Sequence, residues 1–163
     1  DLRWSFIARL VALGALEPSA IDEELERDNT AGGQRQAAVA RASIPTAEAK
    51  AIAWKESVEE DGMANAILES TIRGFAPVDQ LDLLTPYVDK YFAALPQVWR
   101  DRTNQIAQSI TVGYFPMLLA SPEILAKADA FLATDTDAGS TRLVRELRDN
   151  AARALTAQAK DAK

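Results

Sequence analysis

Apolar positions recur at three- and four-residue spacing along almost the whole chain, the period of helices with one buried face. Leu2, Phe6, Leu10 and Leu13 mark the first such face, with Arg3 and Arg9 outside it, and Gly14 is a natural stop. Pro18 and Ser19 start a second helix, in which Ile21 and Leu25 form an apolar edge and Asp22, Glu23, Glu24 and Glu26 a solvated side. Asp28, Asn29 and Thr30 are cap-type residues before a third helix. It runs through Gln36, Val39 and Ala40 and ends near Ser43, because Ile44 precedes Pro45 and avoids the α region. Thr46 caps a fourth helix with Ala49, Ile52, Ala53, Trp54 and Val58, which Asp61 and Gly62 end. A fifth, from Met63 to Ile72, presents Ile67 and Leu68 and closes at Gly74. Pro77 opens a short helix holding Leu81, Leu83 and Leu84. Thr85 and Pro86 begin a seventh with Tyr87, Val88, Tyr91 and Phe92, which ends before Pro96. Gln97 to Leu119 reads as a long helix kinked or split at Pro116. The brief alternation Ser109-Ile110-Thr111-Val112 belongs to that helix. Ser121, Pro122 and Glu123 cap a helix with Ile124, Leu125, Ala128 and Phe131. Asp135 to Ser140 is polar and turn-like, and a last helix from Thr141 to Ala159 aligns Leu143, Leu147, Ala151 and Leu155.

About nine or ten short helices joined by turns of roughly two to six residues imply antiparallel neighbours. The early helices pair at a spacing of roughly 30 residues. The pattern predicts an all-α chain, a HEAT-like α-α superhelix of stacked antiparallel helix hairpins, with 1–163 as a single domain. An irregular helical bundle is the alternative, because the repeat is not clean.

Composition removes several classes of function. The 163 residues contain no Cys and no His. Disulfides, thiolate catalysis, zinc–thiolate sites and nucleophile pairs that rely on imidazole are therefore excluded from this chain. The net charge of −6 argues against a partner that presents phosphates, so nucleic acid is not expected. No apolar run approaches the roughly 20 residues of a membrane span, so no membrane partner is expected either. The chain opens at Asp1 without a signal-peptide pattern. The expectation is that an N-terminal portion lies outside it and that the protein is cytoplasmic.

Five groups of residues invite a chemical reading. Arg142, Arg145, Arg148 and Arg153 lie on the last helix. Arg142–Glu146 and Arg145–Asp149 fit i,i+4 pairing, whereas Arg148 has no acid four residues away. They read either as a cationic lining for an anionic group such as a carboxylate or as a solvated helix face. Arg100, Arg102, Gln105 and Gln108 beside Trp99 form a reasonable peptide-contacting set, or else Trp99 is core and the arginines snorkel. Asp22-Glu23-Glu24-Glu26 and Glu59-Glu60-Asp61 lack the spaced oxygens of a calcium loop and read as solvated faces. Gly32-Gly33 with Arg35 is a weak anion-nest pattern, better taken as a local turn or helix start. The aromatics Tyr87, Tyr91, Phe92 and Trp99 stand at helical spacing and read as core.

Several stretches, in order, resemble actinobacterial-type aminopeptidase N. They are Asp1-Leu2-Arg3-Trp4, Pro45 to Ala51 followed by Trp54, Leu84 to Phe92 followed by Pro96, Val98 and Trp99, Gly113-Tyr114-Phe115-Pro116, and Arg142-Leu143-Val144 with Arg148-Asp149. Members are zinc exopeptidases whose C-terminal helical domain is similar to that of the endoplasmic-reticulum aminopeptidases. The resemblance implies a HEAT-like domain folded over a catalytic domain and enclosing a chamber for the peptide. It also implies partners, namely the catalytic domain of the same polypeptide and a peptide substrate. The family's His-Glu-x-x-His zinc motif, distal Glu ligand and Gly-x-Met-x-Asn signature belong to the catalytic domain, and none occurs here. Zinc is thus expected in the parent enzyme, outside this chain, with no catalytic or metal residue within it. Arg100, Arg102, Gln105, Arg145 and Arg148 are the candidates for facing the substrate chamber.

Overall fold

The computed structural model describes residues 2–134 and 137–161. The chain is all-α: among the described residues there are ten α-helices and no strand. It divides into two compact units, Asp1–Leu84 and Thr85–Lys163.

In the first unit, α1 (Leu2–Ala12), α2 (Ser19–Arg27), α3 (Ala31–Ala42), α4 (Ala47–Trp54), α5 (Asn65–Phe75) and the single turn α6 (Leu81–Leu84) follow one another. Their starts obey the cap chemistry of the sequence. The Thr30 and Thr46 side chains accept from the backbone N–H of Gly33 and Ala49, satisfying donors that a helix start leaves free. The Gly32-Gly33 pair is thus the first turn of α3, closed by its own cap. Gly33 is required there, since a Cβ would sit 1.8 Å from the Asp28 carbonyl oxygen.

The face of α1 is reversed from the expectation. Trp4, Val11 and Ala12 are buried, with Ile7 and Ala8 packed beside them against Ile21, Ala37 and Ala40. Leu2, Phe6, Leu10 and Leu13 face outward. The core side is fixed by Trp4, whose indole Nε1 donates to Asp28 Oδ2 at 2.8 Å. That bond and the Thr30 hydroxyl, the larger influence, hold the Asp28 carboxyl below its usual range. Glu24 is not on a solvated face either. It is 4% exposed and receives both Arg3 guanidinium donors, at 2.7 and 2.6 Å, with Arg27 at 3.4 Å.

Helices α3 and α5 meet most closely at Gly74, where a Cβ would lie 2.1 Å from the Val39 carbonyl oxygen. Gly74 therefore does not stop α5, which continues to Phe75; its missing side chain lets two backbones touch. After Trp54 the fourth helix widens into a π-helical turn, Lys55–Glu59. Trp54 Nε1 donates to Glu59 Oε1 at 2.9 Å, five residues on, a spacing the wider turn brings onto one side. Lys50 of α4 is completely buried. Its Nζ donates to the Ala42 carbonyl at 2.6 Å, at the C-terminal end of α3, and lies 5.5 Å from the centre of the Phe75 ring. Gln80 Nε2 donates to the Ala12 and Ser43 carbonyls, both at 2.8 Å, tying the Val78–Gln80 turn to the ends of α1 and α3.

The second unit holds α7 (Tyr87–Asp101), α8 (Asn104–Gly113), α9 (Pro122–Leu132) and α10 (Ala138–Asp161). Pro96 lies inside α7 and does not end it. Its ring is exposed, on the side of the helix where no neighbouring element crowds it. The break comes later, at Thr103, whose hydroxyl caps α8. The long helix expected over Gln97–Leu119 is therefore split between Asp101 and Asn104, and again after Gly113. Ser109 to Val112 is helical, as the sequence implied. Ser121 caps α9 with Pro122 in its first turn. Of the polar turn expected over Asp135–Ser140, positions 135 and 136 lie outside the described residues, and Ala138 already starts α10. Tyr91, Phe92 and Phe115 pack edge to face with centroids 5.0 to 6.5 Å apart, and Phe131 closes on Phe92 at 6.1 Å.

Candidate functional site

The cationic candidates all lie in the second unit, and their environments separate them. Arg148 on α10 makes a bidentate pair with Asp129 on α9, at 2.8 and 3.0 Å, and reaches Asp149 at 3.6 Å. The Asp129 hydrogen bond holds the Arg148 guanidinium above its ordinary range and the Asp129 carboxyl below its own. The acid that the helix spacing did not supply thus comes from the neighbouring helix. Arg142 pairs with Glu146 at 3.0 Å as the i,i+4 spacing required. The Arg145–Asp149 pair does not form: Asp149 turns to Arg148, and among the described residues no ion pair holds exposed Arg145. Arg100 bonds to its neighbour Asp101 at 3.1 Å. Arg102 is half-buried at the end of α7, and Gln105 is exposed in the first turn of α8.

Trp99 explains why these elements gather. Its indole Nε1 donates to Thr111 Oγ1 at 2.9 Å, and Thr111 in turn donates to the Ala107 carbonyl at 2.6 Å. Its ring edge fills the space where a Cβ at Gly139 would stand, 2.4 Å away. Trp99 is therefore a packing residue that joins α7, α8 and the start of α10.

One concavity of the first unit was not legible in the sequence. In the first unit a cavity of about 430 Å³ opens between α3, α4, the π-turn and α5. Ala38, Ala42, Ile44, Ala49, Ile52, Ala53 and Ile67 make its walls apolar, and Arg41 and Glu56 stand among them. Arg41 is paired with Asp22 at 2.8 Å. The short side chains of the four alanines leave room for it.

Zinc, which the resemblance implies for the parent enzyme, finds no fitting donor set here. The sequence has neither His nor Cys, and among the described residues no three acidic side chains converge on a metal position. The acidic runs are held otherwise: Asp22 by Arg41, Glu24 by Arg3 and Arg27, Glu59 by Trp54, and Glu60 by Lys55. No step of metal-assisted hydrolysis is assigned to these residues.

Over 163 residues the chain is 47% identical to Aminopeptidase N of Streptomyces lividans, an alignment that takes in 99% of this chain and 19% of that protein. The chain thus spans about a fifth of the length of that curated relative. Residues 1–153, nearly the whole sequence, match one domain family, and the chain belongs to it: the ERAP1-like C-terminal domain.

Proposed function

We propose that this chain is the non-catalytic C-terminal portion of a zinc-dependent aminopeptidase that removes N-terminal residues from peptides. In this reading it helps enclose the substrate chamber and gates peptide entry. The observation that carries the reading is identity of 47% along 99% of the chain, matched to only 19% of an aminopeptidase. Donor chemistry supports it, since a chain without imidazole or thiol leaves the metal to other parts of the polypeptide. Stacking of the helix pairs as a HEAT-like superhelix, and rigid-body movement against a catalytic domain, are parts of the same proposal. Among the candidates, Arg145 is the residue offered to an anionic group of the peptide, because it is exposed and held by no described ion pair. Arg148 serves instead to dock α10 on α9 through Asp129.

A second reading is a free-standing module that binds a peptide or partner, and the apolar cavity of the first unit favours it. Two measurements test the first reading. The purified chain with added zinc is expected to release no anilide from an aminoacyl-anilide; turnover would overturn the assignment. In the longer polypeptide, Arg145→Glu is expected to lower kcat/KM for a ten-residue peptide about fivefold while sparing the anilide. Equal effects on both substrates, or none on either, reject Arg145 as a chamber residue.

A further inference from the structure

Helix α1 is apolar on two opposite sides. One side carries the buried set Trp4, Ile7, Ala8, Val11 and Ala12. The other presents Leu2, Phe6, Leu10 and Leu13 at 71%, 59%, 41% and 51% exposure, a ridge at i, i+4, i+8 and i+11. A helix with an exposed apolar side opposite its buried one has a second face left to cover. Arg3 and Arg9 do not interrupt the ridge, since Glu24 and Asp79 draw them aside, at 2.6 and 2.8 Å.

We propose that this ridge is a docking surface for an amphipathic α-helix from the same polypeptide outside residues 1–163, laid along α1 with its Leu- and Ala-type side chains between Phe6 and Leu10. The inference rests on the aminopeptidase reading above. Three observations select this occupant. A straight ridge of i,i+4 side chains fits the groove of another helix. The four exposed side chains offer about 400 Å² of apolar surface, the size of patch that on a monomer is often a contact site. A two-fold pair of such ridges would bury about 800 Å², short of the roughly 1,200 Å² of a specific interface between separate chains. A helix tethered in the same polypeptide does not need that area, because its effective concentration is already high. Four-fifths of the length of the aminopeptidase relative lies outside the region this chain matches.

The test is hydroxyl-radical footprinting of Phe6 and Leu10 at matched dose, in the 163-residue chain and in the longer polypeptide that contains it. In the chain alone both side chains should react readily, and Phe6→Lys/Leu10→Lys should leave its Tm unchanged. In the longer polypeptide their oxidation should fall at least fivefold, and the same double substitution should lower the Tm. Equal reactivity in both settings would overturn the proposal while leaving the aminopeptidase reading intact. So would Phe6 already protected in the chain alone, or a concentration-dependent dimer that the double substitution dissolves. Absence of any longer polypeptide from the gene would remove both at once.

Discussion

Replacing Lys50 with methionine (Lys50→Met) isolates the effect of holding an ammonium inside the first unit. The Lys50 side chain is 0% exposed. Its charge is met by one carbonyl at 2.6 Å and by the face of Phe75. Burial outweighs both and pushes the ammonium down from 10.5 to about 8. At about 1.36 kcal/mol for each tenfold change, that drop disfavours the charged native form by roughly 3 kcal/mol. The sign follows from proton counts. Between pH 8 and 10.5 the unfolded chain holds this proton and the folded chain has released it, so stability rises with pH across that window and is lowest below it. Methionine keeps the volume and removes the charge, but leaves the Ala42 carbonyl without its donor, a loss of about 1 kcal/mol. At pH 7 the variant should therefore be more stable by about 2 kcal/mol, or ~4–8 °C in Tm. Near pH 10, where the lysine is neutral in the fold, the ranking should reverse. Urea unfolding of both proteins between pH 7 and 9.5, read as a difference, cancels Tyr91, whose buried phenol is pushed up and withdraws stability only above pH 10. A variant less stable than the parent at pH 7, or a difference that does not change with pH, would refute the reasoning.

Three further substitutions follow from the packing. Glu24→Gln keeps the shape but removes the charge that gathers Arg3 and Arg27, and should lower stability by about 1–2 kcal/mol in urea titrations, since the arginines remain half in water. Gly74→Ala adds a methyl where Val39 backbone stands at 2.1 Å; overpacking of about 3 kcal/mol should exceed the helix-propensity gain of about 1 kcal/mol, and an unchanged Tm would mean that α3 and α5 are not in close contact. Thr111→Val strands the Trp99 indole N–H and should destabilise by about 1 kcal/mol with a shift in tryptophan emission.

Helix periods and caps were legible because they are local. Thr30, Thr46 and Ser121 act through N–H groups three residues away, whereas Thr103, which caps α8 in the same way, was hidden inside the helix expected over Gln97–Leu119. What stayed hidden depended on partners distant in sequence. Periodicity picked out one apolar side of α1, Leu2, Phe6, Leu10 and Leu13, and that side is the exposed one, because only Asp28 and α3 decide where Trp4 goes. Glu24 read as solvated until Arg3, twenty-one positions away, came to it. Gly74 and Pro96 read as stops, yet one is a contact point between helices and the other faces water. For the candidate site, spacing recovered Arg142–Glu146 but mispaired Asp149, since the Arg148–Asp129 pair crosses between helices. The apolar cavity left no trace in the order of residues, because it is a space bounded by four segments.

The wide turn at Lys55–Glu59 bears on how this stretch is compared with its kin. A ring closed five residues on holds one residue more than the ordinary helical ring. A cousin one position shorter here would wind as plain α-helix, and the gap in an alignment belongs within 55–59. Shifting it into the loop around Gly62 would pair Trp54 and Glu59 with the wrong counterparts, and the bond between them would be mistaken for coincidence.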